Sequence, residues 1–193
     1  TEIQVRVYKE NEDFKRSIGW RKTPEADVEE TKMTAFHECF ARRTRDITEY
    51  NGYWLPNQMT NHGAIAEYWA CREKAAIMDL SPLRKYEVIG PDAEELMQLC
   101  VTRNMKKLSV GQVVYTAMCY EHGGMIDDGT VFRLADNNFR WIGGNDDGGL
   151  WLRNQAEARG LNGWVKTSTD QLCNVAVQGP LSRDILKSIM WTA

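Results

Sequence analysis

The sequence predicts an α+β fold with mixed or antiparallel sheets and packed helices. Three observations predict it: β-rich runs follow one another without strict βαβ alternation, a Gly-Gly turn joins two of these runs, and helical patterns separate others. The 193 residues are enough to bury a core without disulfides or metals. Because 42% of the residues are apolar and 26% are charged, the composition is that of a globular chain rather than a disordered one.

Charge and cysteine usage exclude several classes of function. The net charge of −3 argues against a nucleic-acid partner, and no apolar run is long enough to span a membrane. The first residues lack the apolar core of a secretion signal. Five scattered cysteines without a CxxC pair predict reduced thiols, and the three histidines lack metal-ligand spacing. We therefore expect a cytoplasmic protein with no metal, no nucleic-acid partner and no membrane contact.

The chain is expected to form two regions, an irregular or helical segment over residues 1–52 and a larger region over residues 53–193. In the first segment, the acidic cluster after Pro24 is typical of the first turn of a helix. In the second, the spacing of Ile65 and Trp69 predicts an amphipathic helix from Gly63, which we expect to end before Pro82.

Downstream of Pro82, alternating strands and helices are predicted in order. Asp92 is a candidate N-cap for the first of these helices. Gly123 and Gly124 supply the turn of a β-hairpin, and Gly160 closes a later helix. The predicted strands cover residues 85–89, 113–120, 125–134, 138–142, 164–166 and 173–177, and the helices cover 93–101, 150–159 and a last one from Ser182.

Asp127 and Asp128 form the most suggestive cluster, because two carboxylates enter a strand directly after the Gly-Gly turn. Adjacent strand residues face opposite sides, so one carboxylate is expected to point inward while the other faces solvent. An inward carboxylate is suited to act as a base or to stabilise a developing cation. Residue type alone favours the alternative, which is simple solvation at the end of a turn.

Two other segments carry weaker signals. The glycine-rich connector over residues 143–149 matches no phosphate-loop pattern, and its Asp146 and Asp147 would repel phosphate, so we interpret it as a structural link with an acidic helix N-terminus. Cys119 and His122 lie three residues apart, which leaves a nucleophilic pair open, although a half-buried small residue is the simpler interpretation of Cys119.

The order of several motifs resembles the glycine-cleavage T-protein superfamily of aminomethyltransferases and folate-dependent demethylases. The motifs are REKAAIMDLS, KYEVIGPDA, VTRN, GQVVYT, GGMIDD and VAVQGP, and the match around them runs from about residue 53 to residue 186. The segment TRNMKKLSVGQ is also similar to demethylase branches of this superfamily. The resemblance implies a fold like the N-terminal half of a T-protein, with its C-terminal β-barrel absent.

The resemblance also implies a reaction and a site. In T-proteins, tetrahydrofolate takes up the carbon of an aminomethyl group carried on a dihydrolipoyl protein, ammonia leaves and 5,10-methylenetetrahydrofolate forms; we expect similar one-carbon chemistry here. The first Asp of the Gly-Gly-x-x-Asp-Asp motif is the family's catalytic carboxylate and falls on Asp127. The family's folate-lining tyrosine falls on Tyr115, and Met118 on the same strand is assigned with Asp127 to the cofactor site.

Two departures from the family pattern keep alternatives open. Asn residues that T-proteins usually carry are replaced by Tyr120 and Gly144. A folate-dependent demethylase of a small methylated amine or sulfonium compound therefore stands beside the aminomethyltransferase, as does a non-catalytic folate-binding protein. Because family members continue well past the Gln-Gly-Pro motif, we expect either a piece of a longer enzyme or a short relative with an incomplete site.

Overall fold

The computed structural model describes residues 21–22, 29–30 and 32–191, with side chains described for 32–191. These residues form two compact units, which we name by their place along the chain: a central unit of Leu83–Leu172 and a flanking unit of the described residues up to Pro82 and from Cys173 onward. The helix start expected just after Pro24 falls mostly outside the described residues, although Glu29–Glu30 form a short strand.

Strands and helices are numbered in chain order. The strands are β1 (Arg21–Lys22), β2 (Glu29–Glu30), β3 (Lys32–Met33), β4 (Ile47–Tyr50), β5 (Tyr53–Pro56), β6 (Ala76–Asp79), β7 (Arg84–Ile89), β8 (Val113–Cys119), β9 (Met125–Ala135), β10 (Asn138–Gly143), β11 (Trp164–Thr167) and β12 (Val175–Gln178). The helices are α1 (His37–Ala41), α2 (Gly63–Glu73), α3 (Ala93–Cys100), α4 (Asp147–Ala158) and α5 (Ser182–Ile189), with 3-10 turns at Met105–Lys107 and Thr169–Gln171.

The central unit is a five-stranded antiparallel sheet with strand order β11-β7-β10-β9-β8. Helices α3 and α4 cover one face, where the buried side chains of the sheet and helices form one cluster. Trp141, Phe139 and Leu96 in this cluster are fully buried. Full burial of such a side chain stabilises the fold by roughly 1.5–3 kcal/mol, so this face organises the unit.

The flanking unit contains three smaller sheets: β1 with β2, β3-β5-β4, and β12 with β6. Strands β3 and β5 are parallel and the other pairs are antiparallel. At the end of β6, the buried Asp79 carboxylate accepts hydrogen bonds from Thr34 Oγ1 (2.5 Å) and the Ser81 backbone N–H (2.9 Å). These bonds satisfy a buried charge where the strand ends.

The prediction of an α+β fold with antiparallel and mixed sheets is confirmed by these elements and by the solved structure described below. Most predicted strands and the β8–β9 hairpin are observed, with Gly123 at a positive φ of 88° in the turn. The expected boundary at residue 52 falls inside the β4–β5 hairpin, whose register pairs Tyr50 with Tyr53. None of the helices that the structure describes is both long and apolar enough to cross a bilayer.

One local prediction is wrong. The helix from Gly63 ends at Glu73 instead of reaching Ser81, because Ala76–Asp79 pairs with the distant Val175–Gln178 as β6. Asp92 is the N-cap residue of α3, as predicted, but its side chain makes no capping hydrogen bond; its Oδ2 instead accepts the Asn162 backbone N–H at 2.7 Å and ties the connection before β11 to the start of α3.

Candidate functional site

Asp127 lies on β9 and faces the side of the sheet that the helices cover. Its register partner on β8 is Met118, and the Asp127 residue is only 8% exposed. The neighbouring Asp128 pairs with Ala117 on the other face and is exposed. The structure thus separates the two carboxylates as strand alternation predicts, with the first inward and the second in solvent.

Backbone N–H groups orient the Asp127 carboxylate. Oδ2 accepts the N–H of Gly144 at 2.9 Å and that of Asn145 at 3.4 Å, and Oδ1 accepts the N–H of Asp128 at 2.9 Å. The first two donors belong to the connector between β10 and α4. This connector therefore has a function that its sequence did not reveal: it fixes the carboxylate of the neighbouring strand.

Glycine is required where this connector approaches Asp127. A Cβ atom on Gly143 would collide with Asp127 Oδ2 and would lie 2.6 Å from Trp141 Nε1. A Cβ atom on Gly148 would lie 3.0 Å from the same indole nitrogen, which is buried without a hydrogen-bond partner among the described residues. At Gly144 a Cβ atom would meet only Asp127 Oδ1, at 3.4 Å. The connector is thus closely packed at Gly143 and open at Gly144.

The structure does not bring the three predicted cofactor residues together on one surface. Tyr115 pairs with Thr130 and Met118 pairs with Asp127, so Tyr115 and Asp127 face opposite sides of the β8–β9 pair. Tyr115 is 60% exposed on the face that α3 and α4 do not cover, whereas Met118 has no exposed surface and packs in the core. Of the three residues, Asp127 has its carboxylate oriented by backbone N–H donors, and Tyr115 has its ring exposed to solvent. Met118 is buried in the core as the register partner of Asp127.

An ionic cluster at the start of α4 was not anticipated from the sequence. The Tyr86 hydroxyl donates to Asp146 Oδ1 at 2.5 Å, and Arg84 Nε lies 3.0 Å from the same oxygen. Burial, followed by the hydrogen bond and charge of Asp146, raises the pKa of Tyr86 well above its usual value. In the sequence, the only signal for this ionic cluster was that an arginine and a tyrosine occupy alternate positions of a strand that also carries core residues.

Among the described contacts, none joins Cys119 to His122. His122 instead stacks on Tyr120, with ring centroids 5.4 Å apart. Cys119 lines a cavity of about 200 Å³ together with Cys100. Burial raises the pKa of the Cys100 thiol to about 12, so that cysteine is held as a neutral thiol. Among residues 32–191, no three His, Cys, Asp or Glu side chains are grouped to hold a metal ion.

Comparisons with known proteins identify the family. The family model of the GCVT N-terminal domain matches residues 36–193, which is most of the chain and contains both Asp127 and its glycine connector. This chain belongs to the GCVT N-terminal domain family. The T-protein resemblance of the motif series is thereby confirmed, and the match begins before the expected boundary at residue 52.

Individual relatives agree with this assignment. The chain is 58% identical over all 193 residues to a trimethylamine-oxide aldolase from Ruegeria pomeroyi, and covers 24% of that protein. It is 32% identical over 161 residues, or 82% of the chain, to an aminomethyltransferase from Natranaerobius thermophilus, covering 43% of it. The crystal structure of aminomethyltransferase T from Bartonella henselae shares the fold, with a TM-score of 0.72, 23% identity, and coverage of 81% of this chain and 43% of that one. The chain thus spans less than half of the length of these relatives.

Proposed function

We propose that this chain is the N-terminal part of a tetrahydrofolate-dependent one-carbon transferase, with Asp127 as its catalytic carboxylate. The observation that carries the proposal is the orientation of Asp127 by the backbone N–H groups of Gly144 and Asn145 within a matched family domain. A carboxylate held by fixed donors stabilises developing positive charge without having to reorganise during the reaction.

The residues of the central unit fit parts of tetrahydrofolate. A carboxylate has about four lone-pair sites, and the three backbone donors to Asp127 leave about one for a ligand N–H or a cationic carbon. The exposed ring of Tyr115 fits a flat aromatic group, but on the face of the β8–β9 pair opposite to Asp127. When bound, tetrahydrofolate supplies the nitrogen that takes up the one-carbon unit. Met118 is assigned no contact with the ligand in this proposal, because it is a buried core residue that pairs with Asp127 across the β8–β9 ladder.

In this proposal Asp127 acts on the carbon in transit. As the bond between that carbon and its donor weakens, the carbon becomes cationic, and the fixed negative charge stabilises that state more than it stabilises the neutral substrate. Burial to 8% exposure strengthens this interaction, because few water molecules screen the carboxylate. Asp128, exposed on the opposite face, has no part in this step.

A second candidate is demethylation of a small methylated amine or sulfonium compound. It is favoured by the 58% identity to a protein named trimethylamine-oxide aldolase and by Gly144, which leaves open space where T-proteins usually carry Asn. An aminomethyltransferase would take its one-carbon unit from a lipoyl carrier protein. For either donor we propose a cytoplasmic enzyme, since all five cysteines are free thiols.

The first test is titration of tetrahydrofolate into the chain, followed through its seven tryptophans. We expect saturable binding at one site. Turnover is then measured as formation of 5,10-methylenetetrahydrofolate from trimethylamine N-oxide or from an aminomethylated lipoyl carrier, using the chain and a longer form that extends past Ala193. No binding of tetrahydrofolate to either form would contradict both folate proposals. Binding without turnover from any donor would favour the non-catalytic folate-binding alternative.

Substitution of Gly144 tests the choice of donor. Because its φ is not positive and a Cβ meets only one oxygen, Gly144→Asn should fold normally and restore the amide usual in T-proteins. If the open space selects a methylated amine, this variant should lose activity with trimethylamine N-oxide at least tenfold while still binding tetrahydrofolate. Gly144→Ala is the matched control, since it adds a Cβ without the amide.

A further inference from the structure

The indole N–H of Trp141, beside Asp127, is a buried donor that makes no hydrogen bond within the described part of the chain. Trp141 lies on β10, two residues before Gly143, and has no exposed surface. Nearly all buried polar groups in folded proteins have a partner, because water cannot reach them to replace one. A fully buried indole N–H therefore calls for an acceptor close by.

Two glycines enclose this indole nitrogen. A Cβ atom on Gly143 would lie 2.6 Å from Trp141 Nε1, and one on Gly148, in the first turn of α4, would lie 3.0 Å from it. The same Cβ on Gly143 would also collide with Asp127 Oδ2. Because Nε1 and Oδ2 flank one point, they lie within about 5 Å of each other, which is close to hydrogen-bond range. The absence of a side chain at Gly143 is what allows this approach.

The Oδ2 atom of Asp127 is able to accept a further donor. The backbone N–H of Gly144 reaches it at 2.9 Å, which is ordinary, whereas that of Asn145 reaches it at 3.4 Å, which is long. The terminal torsion of an aspartate has only a broad preference, so the carboxylate turns towards Nε1 at little cost. A turn that gives up the long Asn145 contact keeps three donors on the carboxylate and leaves the same lone pair for a ligand.

The indole also holds its donor on a more rigid element than the connector. Strand β10 is paired on both sides, with Trp141 opposite Tyr86 of β7 and Val131 of β9. The indole ring is fixed by this burial, and its nitrogen is a donor only, so it has no alternative role as an acceptor. A carboxylate tied to a central strand keeps its direction better than one tied to a loop alone.

We propose that the indole N–H of Trp141 donates to Oδ2 of Asp127, and that Trp141 is thereby a positioning residue for this carboxylate. The hydrogen bond rests on the geometry of Trp141, Gly143 and Asp127; its importance for turnover rests on the proposed function. Because Trp141 is fully buried, it acts through Asp127 and not on the substrate. It restricts the directions in which the carboxylate faces the carbon in transit.

The hydrogen bond is tested without any ligand, by proton–nitrogen correlation NMR of the seven indole N–H groups in the complete chain. We expect the Trp141 proton, assigned through bonds, to be the most downfield of the seven, because a charged acceptor makes a short, strong hydrogen bond. It should move upfield in Asp127→Asn. Asp128→Asn, on the opposite face, is the matched control and should leave it in place. A Trp141 proton that lies among the other six and does not respond to Asp127→Asn would overturn the proposal.

Trp141→Phe tests the positioning role, since it keeps an aromatic ring in the core and removes the donor. We expect kcat to fall about tenfold while KM for tetrahydrofolate stays within a few-fold, because positioning acts on the transition state more than on binding. Trp151→Phe is the matched control: this half-buried tryptophan of α4 packs against Tyr120, and its loss should leave kcat unchanged. Equal losses of kcat in the two variants, or a change confined to KM, would overturn the positioning role.

Failure of this inference and failure of the proposed function give different results. If the unsubstituted chain and its longer form turn over no one-carbon donor, the proposed function and the positioning role both fail, and the NMR comparison still decides the hydrogen bond. If turnover is normal and the Trp141 proton ignores Asp127→Asn, only this inference fails. If Trp141→Phe does not fold, the comparison of the unsubstituted chain with Asp127→Asn decides the proposal, because both keep the indole.

Discussion

At the scale of single residues, the molecule uses glycine to bring backbone donors to a buried carboxylate. Gly143 lies so close to Asp127 and Trp141 that no side chain fits, while its neighbour Gly144 has space on the side of Oδ1. The inward orientation of Asp127 was predictable from strand alternation after a Gly-Gly turn. The backbone N–H groups that donate to its carboxylate could not be predicted, because they come from a connector that meets β9 only in the folded sheet.

Gly143→Ala should therefore destabilise the protein by about 1–3 kcal/mol, because the added Cβ forces either Asp127 or Trp141 to move. Urea unfolding followed by tryptophan fluorescence measures the change. Gly144→Ala is the control and should change the free energy of unfolding by less than about 1 kcal/mol, since its Cβ meets a single oxygen at 3.4 Å. Equal destabilisation by the two variants would contradict this account of the connector.

Thiol reactivity should differ sharply between the cysteines. Cys39 and Cys173 are exposed, whereas burial raises the pKa of Cys100 to about 12. With iodoacetamide at pH 8, mass spectrometry should find Cys39 and Cys173 alkylated and Cys100 unmodified in the native protein. Because the folded-state pKa is raised, the contribution of Cys100 to stability is present below its ordinary pKa and is lost as the pH rises towards 12. Rapid alkylation of Cys100 would contradict its burial.

At the scale of elements, the start of α4 is attached to β7 through Asp146. The carboxylate accepts the Tyr86 hydroxyl and lies beside Arg84, at a helix N-terminus where negative charge is favourable. Gly149 permits the close approach, because a Cβ there would collide with the Tyr86 ring. This attachment positions the connector that orients Asp127.

Tyr86→Phe should lower the free energy of unfolding by about 1 kcal/mol, since it removes a hydrogen bond to a carboxylate that is itself half-exposed. Tyr120→Phe is the matched control: its ring packs against Trp151, but its hydroxyl makes no hydrogen bond among the described residues, so little change is expected. Denaturant unfolding of both variants gives the comparison. A larger loss for Tyr120→Phe than for Tyr86→Phe would refute the attachment.

The elements also show what local sequence can predict. The β8–β9 hairpin and α4 were predictable, because turn glycines and helix-ending Gly160 act within a few residues of the structure they determine. The early end of α2 could not be predicted from local sequence, because the pairing of β6 with β12 joins segments about 100 residues apart. The separation of Tyr115 from Asp127 follows from the register of β8 on β9, which motif order alone does not contain.

At the scale of the whole molecule, the core cluster lies entirely within Leu83–Leu172. All five strands of the main sheet and both covering helices belong to that continuous stretch. A fragment of residues 83–172 should therefore fold by itself with a cooperative thermal transition in circular dichroism. A broad, non-cooperative transition would show that the central unit depends on the flanking unit.

Turnover of the Asp127→Asn variant tests most directly whether Asp127 is the catalytic carboxylate. With tetrahydrofolate and a productive one-carbon donor, kcat/KM should fall on the order of 10²–10³-fold, because the fixed negative charge is lost while the shape of the side chain is kept. Tetrahydrofolate affinity should stay within a few-fold of the original. Asp128→Asn, one residue away on the open face, should retain full turnover. Full turnover by Asp127→Asn, or equal losses in the two variants, would contradict the assignment of Asp127 as the catalytic carboxylate.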